Sequence, residues 1–209
     1  TRDCNIVPAG INYRTPGHQD PGGKKKINEI EGQYIVALMK ACMAEPEYKG
    51  KTFGVISLLG DQQAEYIQNL LVQDIGPLAY SERNILCGDA ANFQGDERDV
   101  IFLSMVYSNE EEGPLRLVGT GNKDAIKKRY NVAVSRAKDQ LWVVHSLDES
   151  KDLKPGDIRK ELLSYASDPQ AAIHSMKMIE ERAESPFEEA VAKKLVSLGY
   201  HIEQQWAVG

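Results

Sequence analysis

Hydrophobic and polar positions along the chain switch repeatedly between the spacing of one helix face and the unbroken apolar runs of buried strands. Residues 10–27 hold glycine, proline and the run Lys24-Lys25-Lys26 without periodicity, which predicts a loop behind a short first strand near Cys4 to Val7. Asn28 can cap a helix with Glu31 at its third position, and Ile30, Tyr34, Leu38 and Ala41 follow on one face, so a helix is expected to end near Ala44 to Pro46. Phe53 to Leu58 reads as a buried strand, and Gln62 to Ile75 returns to helical spacing through Tyr66, Leu70 and Ile75. Ile85 to Cys87, Val100 to Val106 and Leu141 to His145 read as further strands, with a helix over Lys123 to Ala137. Strands alternating with helices predict an α/β domain: a parallel sheet covered on both faces.

Beyond residue 150 the texture changes. Residues 1–150 are expected to form the main domain, 151–184 a helical linker with a short helix over Asp157 to Ala166, and 185–209 the partial start of another, α+β unit. Ser185-Pro186-Phe187-Glu188 supplies an N-cap, a first-turn proline and a capping-box acid, and Phe187, Val191, Leu195 and Leu198 form an apolar stripe that Gly199 ends. No internal repeat is visible.

Composition narrows this reading only modestly. The 209 residues, 42% hydrophobic, 27% charged and 7% aromatic, suit one good core plus a remnant, and no stretch approaches the ~18 apolar residues of a membrane span. The abrupt opening at Thr1 leads us to expect a fragment of a longer protein without a leader or lipid signal. Cys4, Cys42 and Cys87 lack zinc-site spacing and leave an odd number, which points to a reducing, cytoplasmic setting. A net charge of −6 excludes a uniformly basic nucleic-acid coat but not a local positive groove.

Candidate chemistry sits in two segments. Gly50-Lys51-Thr52 imitates the end of a phosphate loop, but Glu45 stands where its first glycine belongs and a strand follows, so an ordinary turn is expected. No other phosphate loop and no DExx carboxylate for magnesium is present in the sequence. In GDAANFQGDERDVIFLS, Gly88 to Ser104, the glycine of Phe93-Gln94-Gly95 permits close backbone approach to a ligand, and Gln94 and Glu97 offer an amide and a carboxylate for a ribose or a phosphate-bearing strand. In RYNVAVSRAKDQLWVV, Arg129 to Val144, Arg136 projects from the end of a buried helix, where a guanidinium can neutralise charge developing on a phosphoryl group.

Together these segments resemble motifs V and VI of superfamily 1 helicases, and the resemblance runs over roughly residues 25–147. It implies a RecA-like second motor domain without its own phosphate loop, in which Arg136 is the arginine finger and Arg129 a further motif arginine. Asn131 is read as a partner for nearby loop backbone. Gln94, Asp89 and Asn92 are implied as nucleic-acid contacts, and Gly95, Glu97 and Gln62 or Gln63 as nucleotide contacts, with Thr52 to Leu71 resembling motif IV. Asp89 and Ala91 depart from the threonine and aspartate common there, and a carboxylate at Asp89 repels phosphate unless a cation intervenes. Asn12-Tyr13-Arg14 imitates a family Tyr-Arg motif and is read as loop. The implied cofactors are ATP and Mg2+, held mainly by a missing N-terminal RecA-like domain. The implied partners are that domain and nucleic acid, DNA ahead of RNA, with no membrane. The tail from Ser185 resembles the opening of a restriction-endonuclease-like domain, in which Glu188 matches a metal-holding acid. Gln94, Glu97, Arg129 and Arg136 are expected to meet at the carboxyl ends of the parallel strands, where ligands bind in open sheets. The alternatives are a targeting module for a nuclease and a non-enzymatic scaffold.

Overall fold

The computed structural model describes residues 9–17, 26–109, 113–119 and 124–168. They form one α/β body, within a compact unit spanning Thr1–Pro169; the second unit, Gln170–Gly209, lies outside the described residues together with Glu188 and the expected nuclease-like start. The strands are β1 (Ala9–Arg14), β2 (Phe53–Ser57), β3 (Leu86–Asp89), β4 (Arg98–Ser104) and β5 (Ala137–His145), and the helices are α1 (Glu29–Ala44), α2 (Gln62–Glu82), α3 (Asp124–Val134) and α4 (Ile158–Ser167). All pairings are parallel in the order β1-β5-β4-β2-β3.

A parallel sheet covered on both sides needs apolar residues at successive strand positions. β2 is buried at every position, and β4 everywhere except Asp99. Side chains alternate faces along β4. Ile101 and Leu103 join Tyr130 and Ala133 of α3 and Leu162, Leu163 and Ala166 of α4 in one core layer. Val100 and Phe102 join Ile35 and Met39 of α1 and Ile67 and Leu71 of α2 in the other.

Gly50-Lys51-Thr52 is the turn expected: Gly50 takes φ 77°, β2 begins at Phe53, and both the Thr52 N–H and its hydroxyl donate to the Asp99 carboxylate. Burial works against ionisation of Asp99, but those two donors hold its carboxyl below the usual range.

Several sequence expectations are corrected. Asn12-Tyr13-Arg14 is not loop but the outer part of β1, paired with Val143, Val144 and His145. This edge strand carries no strong apolar alternation; its stability comes from the β5 ladder and from the Asn12 side chain, which donates to Glu149 and Ser167 and contacts the His145 ring. The strand expected near Cys4 to Val7 lies outside the described residues. On α1 the buried stripe is Gly32, Ile35, Val36, Met39 and Cys42, while Ile30 and Tyr34 are exposed, so the face is rotated by about one residue from the expected one. α2 runs on to Glu82 through a kink at Gly76 (φ 81°) ahead of Pro77. Ala137 starts β5 instead of ending α3. The short helix expected after residue 150 is present as α4, capped by Asp157, but its apolar face belongs to the core of the main body.

Candidate functional site

β3 ends at Asp89, level with Ser57 at the carboxyl end of β2, whereas β4 starts at its amino end with Arg98. Residues 90–97 therefore traverse the sheet face, a distance within the ~3.3–3.6 Å per residue available to extended chain. Phe93 anchors the crossing. Its ring is fully buried over Gly54, where a Cβ would lie 2.9 Å from the ring edge. Ala90 is buried as well, so Gln94, Gly95 and Asp96 are left exposed at the amino ends of the strands. Gly95 takes φ 91°, a left-handed conformation that favours glycine.

Arg136 occupies the same end, in the turn between α3 and β5. Its carbonyl accepts from the Arg98 N–H at 3.0 Å, which fixes the start of β4 against it. Its guanidinium folds back on the helix end: Nε donates to the Val132 carbonyl at 3.1 Å, Nη2 to the Ser135 hydroxyl at 2.8 Å, and Nη1 reaches the Asp96 carbonyl at 3.5 Å. Arg98 grips the turn from beneath. Only 7% exposed, it donates to the Asn84 and Glu97 carbonyls at 2.7 and 2.8 Å and pairs with the Asp96 carboxylate at 3.2 Å. Two arginines thus hold one exposed turn, and the half-buried Arg136 presents its Nη atoms at that surface. Sequence reasoning passed over Arg98; the signal available was a charged residue at the head of an otherwise apolar strand.

The remaining predicted residues are elsewhere. Arg129 is exposed in mid-α3, close enough to Tyr107 and Tyr130 for its charge to ease their ionisation against burial. Asn131 is exposed on the next turn, and its carbonyl accepts the Ser135 N–H. Asp89 lies at the carboxyl end and makes a closed turn: its carboxylate accepts from the Ala91 and Asn92 N–H groups, and the Asn92 side-chain oxygen accepts from the Asp89 N–H. Gln63 is buried with its amide committed twice, accepting the Asn28 N–H at 2.8 Å and donating to the Asn28 carbonyl at 3.0 Å. Gln62 is exposed beside it and accepts the Lys26 N–H. The expected single cluster at the carboxyl ends is therefore corrected. Gln94, Gly95, Glu97 and Arg136 stand at the amino ends, while Asp89, Gln62 and Gln63 stand at the opposite edge, because residues 90–97 carry the chain from one to the other.

That opposite edge holds a buried polar network. The Glu31 carboxylate accepts from the Ser104 hydroxyl at 2.6 Å and the Val106 N–H at 2.9 Å on one oxygen, and faces the Asn28 amide and Ser146 hydroxyl with the other. Complete burial outweighs these donors and pushes its pKa up to about 7. In contrast to the expected capping box, only the first half forms: the Glu31 N–H donates to the Asn28 side chain, but the Glu31 carboxylate turns into the sheet. Next to it, burial and the Arg14 charge push His145 down to about 4. Its Nδ1 accepts the Leu147 N–H, so Nε2 is the protonated nitrogen and donates to the Asn12 side-chain oxygen at 2.6 Å. A polar cleft of about 590 Å³ opens beside this network between Arg14, Asn109, Asp148 and Lys151. Among the described residues no three His, Cys, Asp or Glu side chains converge as a metal site. Cys42 and Cys87 are free, and burial raises the Cys87 thiol to about 12, far from a reactive thiolate.

The five-stranded, all-parallel α/β sheet is of the kind a RecA-like domain has, and comparison with known proteins agrees. Residues 9–148 match the AAA domain family AAA_12, and the chain belongs to that family. It is 32% identical over 148 residues to the regulator of nonsense transcripts 1 homolog of Drosophila melanogaster, a match covering 61% of this chain and 12% of that protein. It is also 32% identical over 130 residues to the uncharacterized ATP-dependent helicase MG140 of Mycoplasma genitalium, covering 56% of this chain and 11% of the relative. The matched part of the chain thus spans only about a ninth to an eighth of these relatives' length. Among the described residues no helix is long and apolar enough to cross a membrane.

Proposed function

We propose that this chain is the second motor domain of an ATP-dependent superfamily 1 helicase, in which Arg136 serves as the arginine finger toward ATP bound by another RecA-like domain of the parent protein. The observation that carries the reading is the Arg136 guanidinium, held by Val132 and Ser135 against the exposed 94–96 turn with hydrogen bonds from its Nη groups at the surface. Preorganised donors of this kind cost little reorganisation as charge develops, which is where an arginine acts on phosphoryl transfer. Gly95 and Glu97 share that edge and are assigned to the nucleotide side, and Gln94, expected from the sequence as a nucleic-acid contact, is reassigned to it because it stands at the same amino ends. Arg129, exposed in mid-α3 away from that turn, is assigned as the further motif arginine.

Gln62, with its side chain at the surface, remains the motif IV candidate, whereas Gln63 serves Asn28. The carboxyl-end edge, with Asp89 and Asn92 at one side, is assigned to the nucleic-acid strand, with DNA as the expected ligand. There Asp89 acts by shaping its turn, not by touching phosphate. Mg2+ is expected on the phosphate-binding domain of the parent.

The test is steady-state ATP hydrolysis by the intact parent with saturating single strand. Arg136→Ala is expected to lower turnover by about 10³-fold or more with little change in nucleotide binding, and Arg136→Lys to fail nearly as badly because a flexible point charge does not reproduce the planar fork. Near-normal turnover in a folded Arg136→Ala parent overturns the assignment. The nuclease-targeting alternative makes a different prediction: strand cleavage that depends on Glu188 and survives loss of Arg136.

A further inference from the structure

Val106, two residues beyond the end of β4, adopts φ 71°, a left-handed conformation that is a genuine outlier for a β-branched side chain. Such strain persists only where the surroundings over-determine it. Here they do. The Val106 N–H donates to the Glu31 carboxylate at 2.9 Å, and its carbonyl accepts from the Asn28 side-chain amide at 3.3 Å. Asn28 is itself fixed by the Gln63 side chain on both its backbone groups and by the Ser146 hydroxyl on its amide. One residue upstream, the Met105 N–H bonds to the Val144 carbonyl of β5, so the chain is regular until the point where Asn28 and Glu31 take hold. Immediately downstream, Tyr107 lies under the Arg159 guanidinium at 4.7 Å, and Arg159 is locked to Asp157 at the head of α4. All of Asn28, Glu31 and Val106 are buried.

We propose that Asn28 and Glu31 are positioning residues: they clamp Val106 in the left-handed conformation and thereby seat Tyr107 against the core layer that holds Tyr130 of α3, the helix that ends beside Arg136. Neither residue has a hydrogen bond to the 94–97 turn, and the clamp acts through the packing of Tyr107. The part of this that concerns catalysis rests on the helicase reading; the clamp itself does not.

The deciding measurement compares glycine with alanine at position 106, by urea unfolding of this chain, with Glu31 present and absent. Glycine accommodates φ 71° and alanine does not, whereas at an ordinary φ alanine is the more stable of the two. With Glu31 in place, Val106→Gly is expected to unfold at higher urea than Val106→Ala. In the Glu31→Ala background the backbone relaxes and the order is expected to invert. Alanine equal to or better than glycine with Glu31 present overturns the enforced conformation, and a glycine advantage that survives Glu31→Ala overturns Glu31 as its cause. If Glu31→Ala does not fold, Asn28→Ala supplies the second background with the same two outcomes. In the intact parent, Glu31→Ala is expected to lower kcat for ATP at least tenfold with KM little changed, while Glu31→Gln, which keeps an oxygen for the Val106 N–H, restores most of it. A folded Glu31→Ala parent with unchanged kcat overturns the positioning role. A parent without ATP turnover fails the helicase reading and leaves the glycine–alanine comparison to decide the clamp.

Discussion

The two ends of this sheet solve opposite problems with similar residue types. At the carboxyl end Asn28, Glu31, Gln63, Ser104 and His145 are buried, and their polar groups are spent on one another and on backbone. At the amino end Gln94, Gly95 and Asp96 are exposed and Arg136 is half-buried, with only the underlying Arg98 sealed in. A polar group that is buried and satisfied determines shape; one that is positioned but exposed is available to a ligand. The difference teaches that residue type alone does not mark the site. Glu31 and Glu97 are both acids on motif-like segments, yet the first is a structural hub.

If this division is right, substitutions at the amino end cost activity with folding intact, whereas those at the carboxyl end cost stability and reach activity only through the Val106 clamp. The largest effect is expected from Arg136→Ala, about 10³-fold in ATP turnover of the parent, equivalent to about 4 kcal/mol in the barrier, with a melting midpoint close to wild type. A folding defect as large as the activity defect would move Arg136 into the structural class. At the other end Glu31→Ala leaves the Ser104 hydroxyl and Val106 N–H buried without their acceptor, at about 1–3 kcal/mol each, so urea unfolding is expected to show a loss of roughly 3 kcal/mol. Gly17→Ala probes the same network by sterics. Its Cβ would lie 2.3 Å from the Asn28 side-chain oxygen, and displacing that cap is expected to cost about 1–2 kcal/mol.

The pH dependence sharpens the comparison because two buried groups of the carboxyl end oppose one another. Glu31 is raised from 4.5 to about 7, so its contribution is present below pH 4.5 and is lost as pH rises through 7. His145 is lowered from 6.5 to about 4, so its contribution is present above pH 6.5 and is lost as pH falls through 4. Between about pH 4.5 and 6.5 the two slopes have opposite sign. Glu31→Gln removes the falling one, and its stability relative to wild type is expected to climb with pH across that window; parallel pH curves for the two proteins would contradict the assignment. The smallest effect belongs to Gln94→Ala, an exposed side chain at the amino end, whose stability change is expected to stay within about 0.5 kcal/mol by the same unfolding assay.

Much of the architecture was legible in the sequence because it follows from local periodicity. The apolar runs at Phe53 and Val100 had to be buried strands, and the Asn28 cap with the helix behind it followed from side-chain chemistry over one turn. The edge strand over Asn12-Tyr13-Arg14 was not legible, since its pairing partner is about 130 residues away and its own pattern is weak. The α1 face was misread for a related reason. Ile30 and Tyr34 form a plausible stripe, and only the position of α2 and the sheet selects Ile35 and Met39 instead.

By itself, then, the sequence determined the alternation of strands and helices, the absence of a phosphate loop from its 209 residues, and the pairing of a Gln-Gly turn with an arginine at the end of a helix. Tertiary structure decided which end of the sheet each residue reaches. The path of residues 90–97 down the sheet face depends on Phe93 seating over Gly54, a contact between segments far apart in sequence, and it carries Gln94 and Glu97 to Arg136 while leaving Asp89 behind. The parallel direction of the strands followed from their alternation with helices, but the end of the sheet that a connecting segment reaches depends on how it packs across the assembled strands, which no local pattern specifies.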